Sequence, residues 1–479
     1  MDLKELKKTY CNPLPLPNYP QGRPCRKELR DNWGWIKGKR SDFRETADPS
    51  VVYYKGKWYL YPSCGMAYIT SDFIHWTHHP LNCPDIGYAP TVALFRNKFY
   101  LTACDANLWV SDSPLGPFKN IGPMADIHGA ILKMADPMIF ADEGGKLYIY
   151  WGIGPGGIRG AALDPNFPNK LTSEIKVLFK FNPEHIWERL GDSNEDPTMS
   201  YVEGAWMLKH GKKYFLTYAA PGTELKTYAM GTYVSHSPLG PFKYQKRNPI
   251  LRNTEGLVHG PGHGSIVKGP KGTIWAFYTC LVRNLHYFER RIGMDPAGFD
   301  KNGNLFVLGS SDTPQLAPGL KKHPEHGNSA GLIPVTINRI PEASSWISGH
   351  EPVFALDDSL RTSWQAAKKD KKPWLRVNFR NGFIISAARI QWAEPGLDYQ
   401  KGILPGPVKY KLEISTDGKK WRAIVDKSNN KEDMLIDYRV FKPVFAKSVK
   451  LTILSTAKGI TPAVLQMTVF GDNKTIYNG

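Results

Sequence analysis

Three carboxylic acids stand at matching places in a repeating pattern. Asp48 opens Asp-Pro-Ser-Val-Val-Tyr-Tyr-Lys-Gly-Lys-Trp-Tyr-Leu, Asp136 opens Asp-Pro-Met-Ile-Phe-Ala-Asp-Glu-Gly-Gly-Lys-Leu-Tyr, and Glu203 opens Glu-Gly-Ala-Trp-Met-Leu-Lys-His-Gly-Lys-Lys-Tyr-Phe. Two further copies begin at Ala89 and His263. Three acids brought to one place suit hydrolysis of a glycosidic bond. That reaction needs an acid to protonate the leaving oxygen and a base to activate water. Two carboxyls about 6.5–9.5 Å apart leave room for that water and invert the anomeric centre, whereas at about 5 Å the second carboxyl is a nucleophile. Their pKa values must be pushed apart, and a third charge nearby is one way to do so. Glu203 has the longer arm and the more apolar sequel, Gly-Ala-Trp, which suits the proton donor. Asp48 is then the base, and Asp136 the group that tunes and orients.

Such a trio needs a scaffold that carries distant residues to one axis. Each copy is a short apolar run, a Gly/Asn/Lys turn and an aromatic-rich second run, the pattern of a β-hairpin. The leader stands eight residues before the turn in four copies (48 to 56, 89 to 97, 136 to 144, 203 to 211), and the fifth fits within a residue. A constant offset from a turn fixes position along a strand, so the five leaders occupy equivalent places. Their spacings of 41, 47, 67 and 60 residues predict five blades of a β-propeller, whose innermost strands line a central channel. An Asp before Pro can simply start a strand; three acids in register favour the chemical reading. Tyr233-Val-Ser-His-Ser-Pro-Leu-Gly-Pro-Phe-Lys243 echoes Trp109-Val-Ser-Asp-Ser-Pro-Leu-Gly-Pro-Phe-Lys119 and supports repeated blades independently.

The 479 residues, 41% hydrophobic and 12% aromatic, with 44 Gly and 38 Pro, fit a turn-rich, all-β protein with more than one domain. The expected order is a lead-in over 1–45, a propeller over 46–315, a Pro/Gly/Ser-rich linker over 316–340, and a β-sandwich of jelly-roll type over 341–479. Sandwich strands are predicted at 374–379, 388–392, 409–415, 447–453 and 465–470. The insertion at about 182–200, with Trp187, is expected to form a pocket rim or a short surface helix.

The net charge is +18. Residues 340–479 carry 22 basic against 14 acidic side chains, so the excess is spread over both halves rather than gathered into a nucleic-acid footprint. It reads as a solvated basic surface, with attraction to acidic polysaccharide as the sharper alternative. No apolar run is long enough for a transmembrane helix, and the start, Met-Asp-Leu-Lys-Glu-Leu-Lys-Lys, has no signal-peptide core. The six cysteines follow no metal-binding spacing. Cys11 could bridge Cys25, while Cys64, Cys104 and Cys280 read as buried free thiols.

The motifs Ala-Asp48-Pro-Ser-Val, Ala-Asp136-Pro-Met-Ile and Val-Glu203-Gly-Ala-Trp resemble glycoside hydrolase family 43, the inverting five-bladed propeller enzymes, over about residues 40–310. The resemblance implies the same roles: Asp48 general base, Asp136 pKa modulator, Glu203 general acid. It also implies that His263, in Gly262-His-Gly-Ser265, sits on an axial water or Ca2+, no other cofactor being required. Arg290 resembles the arginine that contacts the sugar, its alternative being a salt-bridged strand residue. The retaining sucrose- and fructan-cleaving propellers would carry Asn-Asp-Pro-Asn, Arg-Asp-Pro and Glu-Cys instead. The C-terminal part resembles a discoidin-like, family 32 type carbohydrate-binding module through Leu356-Asp-Asp-Ser-Leu-Arg-Thr-Ser-Trp364, Trp374-Leu-Arg-Val377 and Ile414-Ser-Thr-Asp-Gly-Lys-Lys-Trp421. Gln466 stands where such modules place a calcium-binding Glu. Trp364 and Trp421 are expected in its core, and Trp392 or Tyr399 is a candidate for stacking on sugar. The expected protein is an exo-acting glycosidase for α-L-arabinofuranosides or β-D-xylosides, with galactosides the further possibility. It is expected to be monomeric and periplasmic or secreted, with a polysaccharide or oligosaccharide as partner. The alternative reading is a non-catalytic sugar-binding propeller.

Overall fold

The computed structural model describes residues 2–18, 44–63, 65–83, 87–105, 107–282, 289–316, 324–398 and 401–472. Five antiparallel sheets follow one another along the chain, each built from consecutive strands. Their innermost strands are Ser50–Tyr54, Thr91–Phe95, Met138–Ala141, Glu203–His210 and Gly262–Lys268. Each of these lies beside the next, and the fifth lies beside the first. The sheets are therefore the five blades of a closed propeller, as the turn spacing predicts.

The hairpins form where Gly or Asn can take a left-handed turn. In blade one, Lys55 and Gly56 have φ of 46° and 81° between Tyr54 and Lys57, the double positive φ of a type I′ turn. The five leading positions share a second feature. Asp48, Ala89, Asp136 and His263 all have positive φ (54°, 50°, 50° and 32°), and in blade four the equivalent is Gly204, at 64°. Glu203 thus stands one residue before the repeated position. Irregular register between Glu203 and Trp206 absorbs the offset, as a β-bulge does.

Residues 182–200 form a short 3-10 turn, Ile186–Glu188, and Trp187 is buried against blade four rather than standing on a rim. The N-terminal segment docks on blade five. Asn12 imitates a strand neighbour: its Nδ2 donates to Met294 O (2.9 Å) and its Oδ1 accepts from Met294 N (3.0 Å).

The C-terminal sheet has eight strands. Two expected strands, 374–379 and 388–392, are parts of a single bulged strand, Trp374–Trp392. Leu332–Pro334 pairs with the last strand, so this sheet recruits residues read from composition as linker. Pro334 is tolerated there because it lies at an edge. Trp364 is fully buried, as expected. Trp392 is buried too, packed on Tyr410, which corrects its candidacy for sugar stacking. Trp421 is only half-buried beneath Lys450, which corrects its core placement. Tyr399, Cys25 and Cys64 lie outside the described residues. Cys11, Cys83, Cys104 and Cys280 are free thiols, and burial pushes those of Cys11 and Cys280 up to about 12.

The sheet does not hang from a tether. One hydrophobic cluster contains Trp58, Trp275 and Phe277 of the propeller together with Trp364, Leu375 and Val449 of the sandwich. A second joins Leu257 and Val282 to Leu360 and Leu465.

Asn12→Ala strips a buried N–H and a buried C=O of Met294 of their partners, each worth about 1–3 kcal/mol. The denaturant midpoint is expected to fall accordingly, and an unchanged midpoint would show that Asn12 does not hold the N-terminal segment.

Candidate active site

The starts of three innermost strands bring the acids to the hub of the ring: Asp48 and Asp136 stand two residues before their strands, and Glu203 opens its own. Asp48 is 4% exposed, Asp136 9% and Glu203 7%. At this depth a carboxylate cannot persist without partners, so the environments decide which acid is ionised.

Asp48 has partners suited to the anion. Arg290, opening the third strand of blade five, reaches both oxygens (Nη1–Oδ1 3.2 Å, Nη2–Oδ2 3.3 Å). Ser63 Oγ donates to Oδ2 (2.8 Å), and His263 Nδ1 stands 3.3 Å from Oδ1. Burial alone raises this carboxyl. Arg290, His263 and the Ser63 and Thr279 hydroxyls more than offset it and hold Asp48 below its ordinary value.

Glu203 is the opposite case. Burial pushes it well above the usual carboxylate range, and the charge of Asp136 adds to the rise, with smaller contributions from Glu224 and Asp48. Tyr228 OH, which donates to Oε1 (2.7 Å), opposes them. Asp136 lies between the two. It accepts from Gly204 N (Oδ2, 3.1 Å) and Cys104 Sγ (Oδ1, 3.3 Å) and faces His263 Nδ1 at 3.5 Å. Burial raises it and His263 pulls it down, leaving it above its ordinary value. One hub thus holds an acid poised to be ionised and another poised to be protonated, the division that acid–base hydrolysis requires.

Gly204 is needed for this arrangement. A Cβ there would stand 2.8 Å from the His263 ring, at a φ that side chains avoid. The sequence expectation for His263 was an axial water or cation. In the structure its Nδ1 bridges Asp48 and Asp136. Among the described residues no three His, Cys, Asp or Glu side chains are grouped to hold a metal.

Arg290 is 2% exposed and bound on several sides: Nε and Nη2 donate to Glu45, Nη1 to Thr223 Oγ1 (2.9 Å), and the fork grips Asp48. This is the salt-bridged alternative rather than a guanidinium offered to sugar. Its neighbour Arg291 instead bonds Glu289 and the Arg44 carbonyl. Sequence reasoning missed Glu45, Ser63, Thr279, Tyr228 and Cys104. Only Ser63, at the end of the first hairpin, lay within reach of the repeat pattern.

Comparison with known proteins identifies two families along the chain. A family model described as glycosyl hydrolases family 43 matches residues 35–305, and one described as F5/8 type C domain matches residues 339–464. The chain is 29% identical over 237 residues to a beta-xylosidase of Xylanibacter ruminicola, covering 44% of this chain and 68% of that protein. It is 27% identical over 332 residues to xylosidase/arabinosidase 43A of Humicola insolens, covering 54% and 95%. A solved structure titled glycoside hydrolase shares the fold at a TM-score of 0.50 and 20% identity, over 89% of this chain and 97% of that one.

Arg290→Gln would leave Asp48 and Glu45 buried without their shared cation, a loss of about 3–5 kcal/mol. Because Asp48 is depressed in the folded state, the stabilisation is present at neutral pH and disappears as pH falls through that depressed value. Denaturation of the variant should therefore show its largest deficit near neutrality and a shrinking one in acid. A deficit independent of pH would contradict the ion-pair account.

Proposed function

Because this chain belongs to glycosyl hydrolase family 43, we propose that it is an inverting, exo-acting glycosidase in which Asp48 is the general base, Glu203 the general acid and Asp136 the modulator between them. The observation that carries this reading is the opposite bias of two buried carboxyls at one hub: Asp48 is held low and Glu203 is held high.

Each role follows from its contacts. Asp48, ionised by Arg290 and oriented by Ser63, takes a proton from water as that water attacks the anomeric carbon. Glu203, protonated, gives its proton to the departing oxygen, and the Tyr228 hydroxyl then stabilises the carboxylate left behind. Asp136 keeps Glu203 protonated by its proximity and fixes the Gly204 main chain, so that it orients the donor and tunes it at once. The proton that Asp48 gains and the one that Glu203 loses return through solvent between turnovers. The inverting outcome rests on family membership. The substrates supported by the relatives are β-D-xylosides and α-L-arabinofuranosides at chain ends, with galactosides the further candidate. Action on polysaccharide, the accompanying F5/8 type C domain and the lack of any described helix long and apolar enough to cross a membrane support a periplasmic or secreted enzyme.

Two substrates with good and poor leaving groups separate the roles. Asp48→Asn should lower kcat/KM by about 10²–10⁴-fold on both, since water must be activated in either case. Glu203→Gln should lose comparably with an alkyl leaving group but much less with dinitrophenolate, which departs without a proton. Equal losses on both substrates would remove Glu203 from the donor role. NMR of the first-formed sugar should show the anomer opposite to the substrate, and the same anomer would refute inversion.

The pH profile has a stated sign. Below the depressed value of Asp48 the base is protonated; above the raised value of Glu203 the acid is ionised. kcat/KM should thus be bell-shaped, with an unusually acidic lower limb and an upper limb above the ordinary carboxylate range. The two limbs belong to the coupled set rather than to single residues. A profile rising through neutrality with no upper limb would contradict a carboxylic acid donor.

A further inference from the structure

The base is tied to the C-terminal sandwich by a continuous run of buried charges. Arg44 is 1% exposed and sits four residues before Asp48. Its guanidinium is forked on two sandwich acids: Nε and Nη2 reach Glu394 (2.9 and 2.6 Å), and Nη1 and Nη2 reach Asp433 (2.6 and 3.3 Å). The next residue, Glu45, is fully buried and takes Nε and Nη2 of Arg290, while Tyr88 OH donates to its other oxygen (3.0 Å). Arg290 in turn grips Asp48. The main chain repeats the link: Arg291 Nη1 donates to Arg44 O (2.7 Å), and Thr46 N donates to Arg290 O (3.1 Å).

From this geometry we infer that Glu394 and Asp433 are positioning residues for hydrolysis, setting the place of Asp48 through Arg44, Glu45 and Arg290. The inference rests on Asp48 being the base. The sandwich is then a part of the catalytic unit as well as an attached domain. Burying three charges at a domain contact gives weak net stability at best, because desolvation consumes most of the attraction. What two bidentate forks do supply is fixed direction. The segment 44–48 lies outside any strand and is held by a few main-chain bonds, Thr46 N to Arg290 O, Ser63 N to Ala47 O (2.8 Å) and Asp48 N to Thr279 Oγ1 (2.8 Å), so the side-chain anchors at Arg44 and Glu45 add to those that aim Asp48. The groups facing Asp48 come from every element around it: Arg290 and His263 of blade five, Asp136 of blade three, Glu203 of blade four, and Glu45 behind Arg290. Of these, the Glu45–Arg290 pair leads to the sandwich, through Arg44 next to Glu45 in the chain.

The test uses the full chain. Glu394→Gln with Asp433→Asn removes both charges at nearly constant shape. Turnover of an aryl glycoside should fall by about tenfold or more with KM unchanged, since small misplacement of a reacting group is costly. Adding Glu45→Gln should cause little further loss, because both changes act through one link. Thr336→Val, which removes a buried hydroxyl bonded within the sandwich to Met467 O and Val469 N, supplies a destabilised control expected to keep wild-type turnover. Should the double variant not fold, Glu394→Gln and Asp433→Asn singly leave Arg44 one carboxylate each and are expected to show smaller losses of kcat alone. Wild-type kcat in these variants, losses that add to that of Glu45→Gln, or an equal loss in Thr336→Val would overturn the inference. Asp48→Asn is assayed alongside: if it is inactive while the sandwich variants are normal, the inference alone fails, and if it is fully active, the base assignment and the inference fall together.

Discussion

Arg290 lies between Asp48 and Glu45 with almost no water to screen them, and the protonation pattern of the hub depends on that contact. A carboxyl buried this deeply would ordinarily take up a proton. The guanidinium prevents it at Asp48 and nowhere else among the three acids. Among the described residues no cation pairs with Glu203, and burial beside Asp136 pushes its carboxyl well above the ordinary range. In the proposed mechanism the difference between base and acid is therefore a difference of neighbours, not of residue type. His263 refines it by sharing one ring nitrogen between Asp48 and Asp136.

The propeller makes such asymmetry available from near-identical parts. Five hairpins put five backbone positions of positive φ around an axis. The occupants then diverge: two Asp, an Ala, a Gly and a His. Ala89 presents no carboxyl, yet its N–H donates to Ser63 Oγ (3.0 Å) and so helps aim the hydroxyl that serves Asp48. Blade four gives up its leading position to Gly204, which opens space for the His263 ring, and carries Glu203, the proposed donor, one residue earlier. Support from outside the ring arrives through Arg44, where the sandwich and the propeller share buried charge and hydrophobic core.

Much of this was legible in the chain. The trio was readable because a constant offset from leader to turn marks strand register, and register fixes which residues meet. The one-residue offset of Glu203 was not, because a bulge moves the backbone without altering the spacing to the turn. Arg290 and Arg291 are adjacent and equally buried, and only the pairing of their strand decides which one faces Asp48. Arg44 and Glu45 precede the first repeat and carry no pattern; their partners lie 350 and 245 residues away. Trp392 suggested a surface because its neighbours include turn residues, but a long bulged strand carries it into the core. Linker composition likewise hid an edge strand, because Pro and Gly mark both.

The central claim is that, near neutral pH, Glu203 holds a proton while Asp48 does not. Difference infrared spectroscopy of the carboxylic C=O stretch reads it directly, comparing the wild-type chain with Glu203→Gln and Asp48→Asn at about pH 6, above the ordinary carboxyl range. The account predicts a protonated-carboxyl band that Glu203→Gln removes. A wild-type spectrum whose band vanishes in Asp48→Asn and persists in Glu203→Gln would contradict it.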